Sequence, residues 1–228
     1  NTIAAANDIL KSYPADSEDP AIRYKLAQAK AMRAFAYLNL APYFQFGYAA
    51  GGKDLPCVPL VTELTTDFTN NPRASVADVY ALIISDLTYA IENLAGYVRT
   101  DKSRIDRQTA YGLRARAYMN MQEWKLAVSD ASAAAAGYSP FSMAEAARPA
   151  FYDISEHNWI WGYDMTSDIA MKNPYATSSA WIRSFSGDGY SAGTQVYSCI
   201  NRLLFDKIPA TDVRKGWWVD DSLESPLL

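Results

Sequence analysis

At 228 residues, half of them hydrophobic and 20% charged, the chain can bury a sizeable core as one large domain or two modest ones. A net charge of −4 with no run of Lys and Arg excludes the clustered positive charge that nucleic-acid binding needs, and no apolar run approaches the ~18 residues of a membrane-spanning helix. One histidine, His157, removes most zinc sites and histidine-dependent catalysis. Cys57 and Cys199 sit far apart without metal-like spacing; they either form one bridge or, the reading preferred here, are ordinary unpaired residues. The 16 Tyr, 8 Phe and 6 Trp exceed what a small-residue helical core requires, so some of these rigid amphipathic side chains are expected to line a surface.

In chain order, residues 2–12 alternate small and apolar residues at helical spacing, and Pro14 ends that helix. A long helix is predicted over 20–46, through LAQAKAMRAFAYLNLAPYF, with Pro42 kinking or tightening its last turn. Residues 47–74 follow as an insertion. Its Gly51–Gly52 and Asn70–Asn71–Pro72 are turn chemistry, and LPCVPLV, residues 55–61, must be extended because its prolines forbid helix. The insertion is expected to pack outside the helical pair, with a mobile tip near Gly51–Gly52.

Ser75 with Asp78 three residues later caps the next helix, whose apolar stripe runs from Val76 to Leu94 before Gly96 closes it. Asp106 caps a helical hairpin that turns at Gln122–Glu123, reaches about Ala136 and stops at Gly137. SMAEAARPAFYDI holds a short helix, and 158–198 reads as loop and short strand, with NWIWGYDM the best strand candidate by alternation. Helix resumes from Gln195 to Phe205, and Thr211 caps a last one through Trp217 and Trp218.

An internal repeat organises these elements. AMRAFAYLNL (31–40) and GLRARAYMNM (112–121) share Arg, Ala, Ala, Tyr and Asn in register, 81 residues apart. YALIISDLTYA (80–90) resembles WKLAVSDASAA (124–134) at an offset of 44, with Ser-Asp shared, which leaves 37 extra residues inside the first copy. Loops this long in a compact helical array are commonly functional or disordered. Tyr111, Ala115 and Tyr118, then Trp124, Ala127 and Ala134, resemble the aromatic and small positions of a tetratricopeptide repeat. Arg33 and Arg114, repeated at the same place, read as structural arginines at a helix contact rather than ligand contacts. Tyr37, Tyr118 and Trp124 read as core.

QAKAMRAFAYLNLAPYFQFG, LPCVPLVTE, PRASVADVYALIISDLTYAIENL and ARAYMNMQEWKLAV, in this order, resemble the SusD/RagB family of nutrient-binding outer-membrane lipoproteins from about residue 1 to 137, and more loosely through NRLLFDKIPATDVR. The resemblance implies a tetratricopeptide-like helical platform carrying an irregular glycan-binding region. It further implies a protein of the outer-membrane cell surface that acts as a lid on a TonB-dependent, SusC-like transporter in polysaccharide uptake. Any membrane attachment would run through a lipid on an N-terminal Cys not among these residues. The chain opens inside a helical pattern without a starting Met or signal peptide, so a fragment or processed piece of a longer protein is expected.

The expected fold is therefore mainly α: antiparallel tetratricopeptide-like hairpins with a long inserted loop and an irregular loop-rich region. Residues 1–228 are read as a single domain, with 20–137 the helical part and 138–228 the irregular, ligand-binding part. Binding of an oligo- or polysaccharide is the leading function. A tetratricopeptide scaffold for protein segments is the alternative, and a glycosidase using carboxylates such as Asp164, Asp168 and Asp188 ranks last. No catalytic residue, cofactor or metal is expected. The glycan is expected where the 47–54 loop tip faces 158–198. Tyr48 and Asp54 would come from the first segment, and Trp161, Tyr175, Trp181 and Tyr190 would stack on sugar faces from the second, with Arg183 and Asp188 bonding hydroxyls.

Overall fold

A computed structural model of the chain describes residues 2–146, 153–163 and 200–218. It divides into two compact units, Asn1–Ser139 with His157–Gly162, and Pro140–Glu156 with Tyr163–Leu228. The described elements are predominantly helical, as the sequence predicts.

In the first unit, α1 (Thr2–Ser12) lies against α2 (Pro20–Phe44). Ala6 and Leu10, four apart and so on one face, close over Leu26 and Ala29 in a small apolar cluster. The α2 helix starts where the Asp19 carboxylate accepts the Ala21 amide at 2.8 Å and Pro20 supplies a pre-set φ at the first helical position. Its other face is lined with Ala27, Ala31, Ala34 and Ala41, interrupted by Tyr37 and Leu38. Side chains this small let a neighbouring backbone approach closely, and α3 (Val76–Asn93) fills that space with Val79, Ile83, Leu87 and Ile91. Pro42 falls within the last turn of α2, which ends at Phe44.

Ser75 caps α3 as expected: its Oγ accepts the Asp78 amide at 3.0 Å and donates to the Asp78 carboxylate at 2.6 Å. The α3 cap at the other end is Leu94 at φ −96°, so Gly96 does not terminate the helix with a left-handed turn. Asp106 caps α4 (Arg107–Met121), accepting from the amide and hydroxyl of Thr109 at 2.8 Å each. The α4 helix ends on Gln122 at φ 60°, where the Gln122 and Glu123 amides fold back to Met119 and Tyr118 carbonyls, and α5 (Trp124–Ala135) begins at once. Gly137, at φ 84°, provides the left-handed turn after α5.

The insertion departs from expectation. It carries a single 3-10 turn, Tyr48–Ala50, and an antiparallel pair of β1 (Pro56–Pro59) and β2 (Arg73–Ser75). Rather than packing outside the helical pair, β1 sends Cys57 and Val58 into the main core beside Tyr37, Ala41 and Val76. The burial is not alternating: both Cys57 and Val58 are covered while Pro56 and Pro59 are exposed, because leaving two adjacent apolar residues in water carries a cost. The loop also completes α3, since the Lys53 and Leu55 carbonyls accept the Ala77 and Val76 amides at 2.7 and 3.0 Å. Cys57 is a free thiol, buried, so the unpaired reading holds for it.

Three further expectations are corrected. Trp124 is 57% exposed rather than core. Its repeat partner Tyr80 is 3% exposed, packed edge-on by Tyr48 at 5.4 Å and hydrogen-bonded by Asn120 at 3.0 Å. Residues 158–163 form bends and turns, not a strand. There Gly162 and Trp161 bond singly to the Lys102 and Ser103 carbonyls, at 3.1 and 3.0 Å. In the second unit, α6 (Met143–Ala146) is the expected short helix, and α7 (Arg202–Lys207), within the predicted 195–205 span, is capped by Asn201, whose side chain accepts the Leu203 amide at 2.9 Å; residues 195–199 lie outside the described residues. The last 3-10 segment, Val213–Trp218, is initiated by Asp212 rather than Thr211, the Asp212 carboxylate accepting the Arg214 amide at 3.0 Å.

Candidate functional site

The residues that seat the insertion converge on Arg33. Its Nε and Nη2 form a two-pronged pair with Asp86 at 2.7 and 2.9 Å, and both residues are 1% exposed. Nη1 donates to Asn7 at 2.8 Å and also to Glu63 of the insertion. Asn7 in turn donates to the Val61 carbonyl at 3.0 Å, and the Tyr37 hydroxyl accepts the Val61 amide at 2.8 Å. Thus α1, α2 and α3 together hold residues 61–63. Burial disfavours the charged guanidinium, but the hydrogen bonds and charges of Asp86 and Glu63 overcome it and raise the Arg33 pKa.

The second copy of the repeat uses the same fork: Arg114 Nε and Nη2 meet Asp130 at 2.7 and 3.0 Å, while Nη1 donates to Thr88 at 2.8 Å. The two Arg–Asp pairs explain why Arg and Ser-Asp recur at both offsets, and the structural reading of both arginines stands. The third arm differs, since Arg33 spends it on the insertion and Arg114 on the neighbouring hairpin.

Burial alone would raise the Glu63 carboxyl, but Arg33 holds it below its ordinary 4.5. A carboxyl depressed in the fold contributes stability that is present above about pH 4.5 and lost as pH falls through the folded value. Glu63→Gln is therefore expected to lower the melting temperature at pH 7. The gap to the parent protein should close towards pH 3, as read by paired thermal melts. A gap of unchanged size at pH 3 would contradict the Arg33–Glu63 attachment.

The predicted sugar contacts are placed as follows. Tyr48 is half-buried against Tyr80, Asp54 is exposed on the loop, and Trp161 is half-buried, edge-on to Phe35 at 5.1 Å with its Nε1 committed to Ser103. Tyr175, Trp181, Arg183, Asp188 and Tyr190 lie outside the described residues. The structure does not bring Tyr48 and Trp161 together. Tyr48 sits by Tyr80, which Asn120 bonds near the C-terminus of α4, whereas Trp161 bonds Ser103, which precedes the N-terminus of α4. A helical rise of 1.5 Å per residue puts these ends about 20 Å apart.

A groove that sequence reasoning missed opens between α1, α2 and β1. Its volume is about 570 Å³ and it is lined by Ile3 and Ala4, by Tyr37, Leu40 and Phe44, by Cys57, Val58, Pro59 and Val61, and by Arg73. Its signal in the sequence is the apolar series Tyr37, Leu40, Phe44 at helical spacing, extending α2 past the stretch that α1 covers. Among the described residues, no group of His, Cys, Asp and Glu could hold a metal ion, and no helix is long and apolar enough to cross a membrane.

Residues 1–119 match the model of a SusD-like family described as starch-binding and associating with the outer membrane. Among solved structures, the chain is similar to a SusD-like carbohydrate binding protein from Bacteroides vulgatus ATCC 8482, with 24% identity and a TM-score of 0.75 over 94% of this chain and 45% of that one. At that identity the likeness is one of fold. A putative sugar binding protein from the same organism is 26% identical, with a TM-score of 0.57 over 69% of this chain and 36% of that one. A SusD superfamily protein from Bacteroides fragilis is 27% identical, with a TM-score of 0.52 over 64% of this chain and 34% of that one. The chain thus spans less than half the length of each of these three structures. No curated protein matches it.

Proposed function

Since this chain belongs to the SusD-like family, we propose that it binds an oligo- or polysaccharide at the outer membrane and passes it to a transporter, without cleaving it. The observation that carries the reading is the family match over residues 1–119, because that segment contains the α2–α3 hairpin, the insertion it clamps and most of α4. The similarity to a putative sugar binding protein at 26% identity supports it. The finer parts follow the same line: placement on the cell surface through a lipid anchor, and delivery to a TonB-dependent, SusC-like partner.

The sugar contacts we propose are the sequence-derived ones, in two groups: Tyr48 and Asp54 on the loop, and Trp161, Tyr175, Trp181, Arg183, Asp188 and Tyr190 in the aromatic segment. Sugar rings offer apolar C–H faces to aromatic rings, and charged side chains beside them bond the hydroxyls. Tyr80 on the helices between is committed to packing, and 158–198, where these residue types crowd, is the stacking segment we propose.

The test is titration against a polysaccharide panel, with a reducing-sugar assay on the same mixtures. Saturable binding without release of reducing ends is expected, at roughly micromolar to millimolar affinity. Trp181→Ala should weaken binding about tenfold, one stacking contact's worth. Release of reducing ends would replace the reading with a glycosidase, and no binding to any polysaccharide would remove it. If Trp181→Ala, Tyr175→Ala and Tyr190→Ala all bind like the parent, the aromatic segment is not the site.

A further inference from the structure

We infer that the face of α4 carrying Arg114 and Tyr118 is a docking site for a non-helical, acidic polypeptide segment of a partner protein. The first copy of the repeat shows what occupies such a seat. There the stretch that continues β1, residues 59–63, is held on α2 by three side chains. The Tyr37 hydroxyl accepts the Val61 amide at 2.8 Å and donates to the Val61 carbonyl at 3.1 Å. Asn7 donates to the same carbonyl at 3.0 Å, and Arg33 Nη1 pairs with Glu63 while also donating to Asn7. One residue's amide and carbonyl are both satisfied, and a carboxylate two residues on meets a guanidinium. That is recognition of a peptide.

The second copy repeats this seat without the segment. The offset of 81 carries Asn7, Arg33 and Tyr37 onto Thr88, Arg114 and Tyr118. Arg114 Nη1 donates to Thr88 at 2.8 Å, as Arg33 Nη1 does to Asn7, and Asp130 fixes the fork as Asp86 does. One Nη1 hydrogen remains, the counterpart of the one that Glu63 takes. Tyr118 makes no hydrogen bond among the described residues, and its ring centre lies 5.7 Å from the Arg114 guanidinium carbon. The charge balance is kept as well. In the first copy Lys30 is the second cation beside Asp86. In the second, Arg107 and Arg114 both lie against the Tyr111 ring, and Arg107 makes no ion pair among the described residues. Connectivity explains why one seat is covered and the other is not. Residues 45–75 join α2 to α3 and fold back over Tyr37, whereas only Gln122 and Glu123 join α4 to α5. Tyr37 is accordingly 1% exposed, while Thr88 and Tyr118 are half-buried.

The probe is the end-capped peptide of residues 58–64, VPLVTEL, titrated into the 228-residue chain and followed by amide shifts. Saturable one-to-one binding with Kd below about 1 mM is expected, with the shifts centred on Thr88, Arg114 and Tyr118. The same peptide carrying Glu63→Gln should bind about tenfold more weakly. In the protein, Tyr118→Phe should weaken the parent peptide about fivefold. That variant keeps the ring and removes a hydroxyl that bonds nothing among the described residues, so its melting temperature should match the parent's. Shifts centred on Asn7, Arg33 and Tyr37 would mean that the peptide displaces the chain's own segment, and would overturn the second seat. Equal affinity for the Glu63→Gln peptide would overturn the acidic occupant. Undiminished binding to Tyr118→Phe, or no binding at all, would overturn the docking face. Polysaccharide titrations are expected to be unchanged by Tyr118→Phe, so this inference and the glycan reading fail separately.

Discussion

Replacing Arg33 with Ala is expected to destabilise the first unit by about 3–5 kcal/mol, lowering its melting temperature by about 10 °C, because Asp86 is left charged and buried without its partner. Asp86 is 1% exposed, so water cannot take over. Lys30 lies 3.4 Å from the same carboxylate, but its side chain is 23% exposed and offers one long contact in place of a fork. Asn7 and Glu63 lose their shared donor in the same stroke. Arg114→Ala should cost less, about 1–3 kcal/mol, since the Arg114 and Asp130 side chains are 16% and 7% exposed and can be partly hydrated. Removing both charges, in Arg33→Met with Asp86→Leu, is expected to recover most of the loss. Denaturant midpoints read on the α2 and α3 amides check all three. If Arg114→Ala equalled Arg33→Ala, or the double variant were no better than the single one, burial of the charge would not be what sets the cost.

Both members of that pair are visible in the sequence, Arg at an offset of 81 and Ser-Asp at 44, yet the sequence does not join them. Pairing Arg33 with Asp86 requires knowing that α2 and α3 are antiparallel neighbours despite the insertion between them. Caps were legible because they are local: Ser75–Asp78 and Asp106–Thr109 each close within three residues. Trp124 was misread for the opposite reason. Its repeat position is buried in the first copy only because Tyr48 and Asn120 arrive from elsewhere to cover Tyr80. The apparent strand at 158–163 has the alternation of a strand, but its backbone partners are single carbonyls of a loop rather than a ladder. The candidate sugar contacts are chosen from sequence on residue type and segment alone. The separation of Tyr48 from Trp161 is not legible there, since it depends on where each end of α4 lies.

The tip of the insertion gives the second large effect, and two adjacent glycines separate its causes. Gly51 has φ 85°, but a Cβ there would meet nothing within 4 Å. Gly51→Ala therefore meets only the left-handed backbone cost, about 1–2 kcal/mol. Gly52 is the reverse case. It is buried, and a Cβ would lie 2.3 Å from the Phe46 carbonyl oxygen, 2.8 Å from its carbon and 2.9 Å from the Gly47 oxygen. These are backbone atoms, so no rotamer change relieves them. They belong to the turn in which Gly47 O accepts the Ala50 and Gly52 amides and Gly52 O accepts the Leu55 amide. Gly52→Ala is expected to open that turn, at a cost of about 1–3 kcal/mol or more. Once it opens, Tyr48 leaves Tyr80, and the Lys53 and Leu55 carbonyls are pulled from the start of α3. Hydrogen exchange should therefore speed up at Leu55, Val76 and Ala77 in Gly52→Ala and stay near the parent rate in Gly51→Ala. A glycan contact through Tyr48 and Asp54 would weaken in parallel with that exchange. Parent-like protection at Leu55 in Gly52→Ala would mean that the turn is not closed on the Phe46 backbone, and the loop's hold on α3 would have to come from β1 and Arg73 alone.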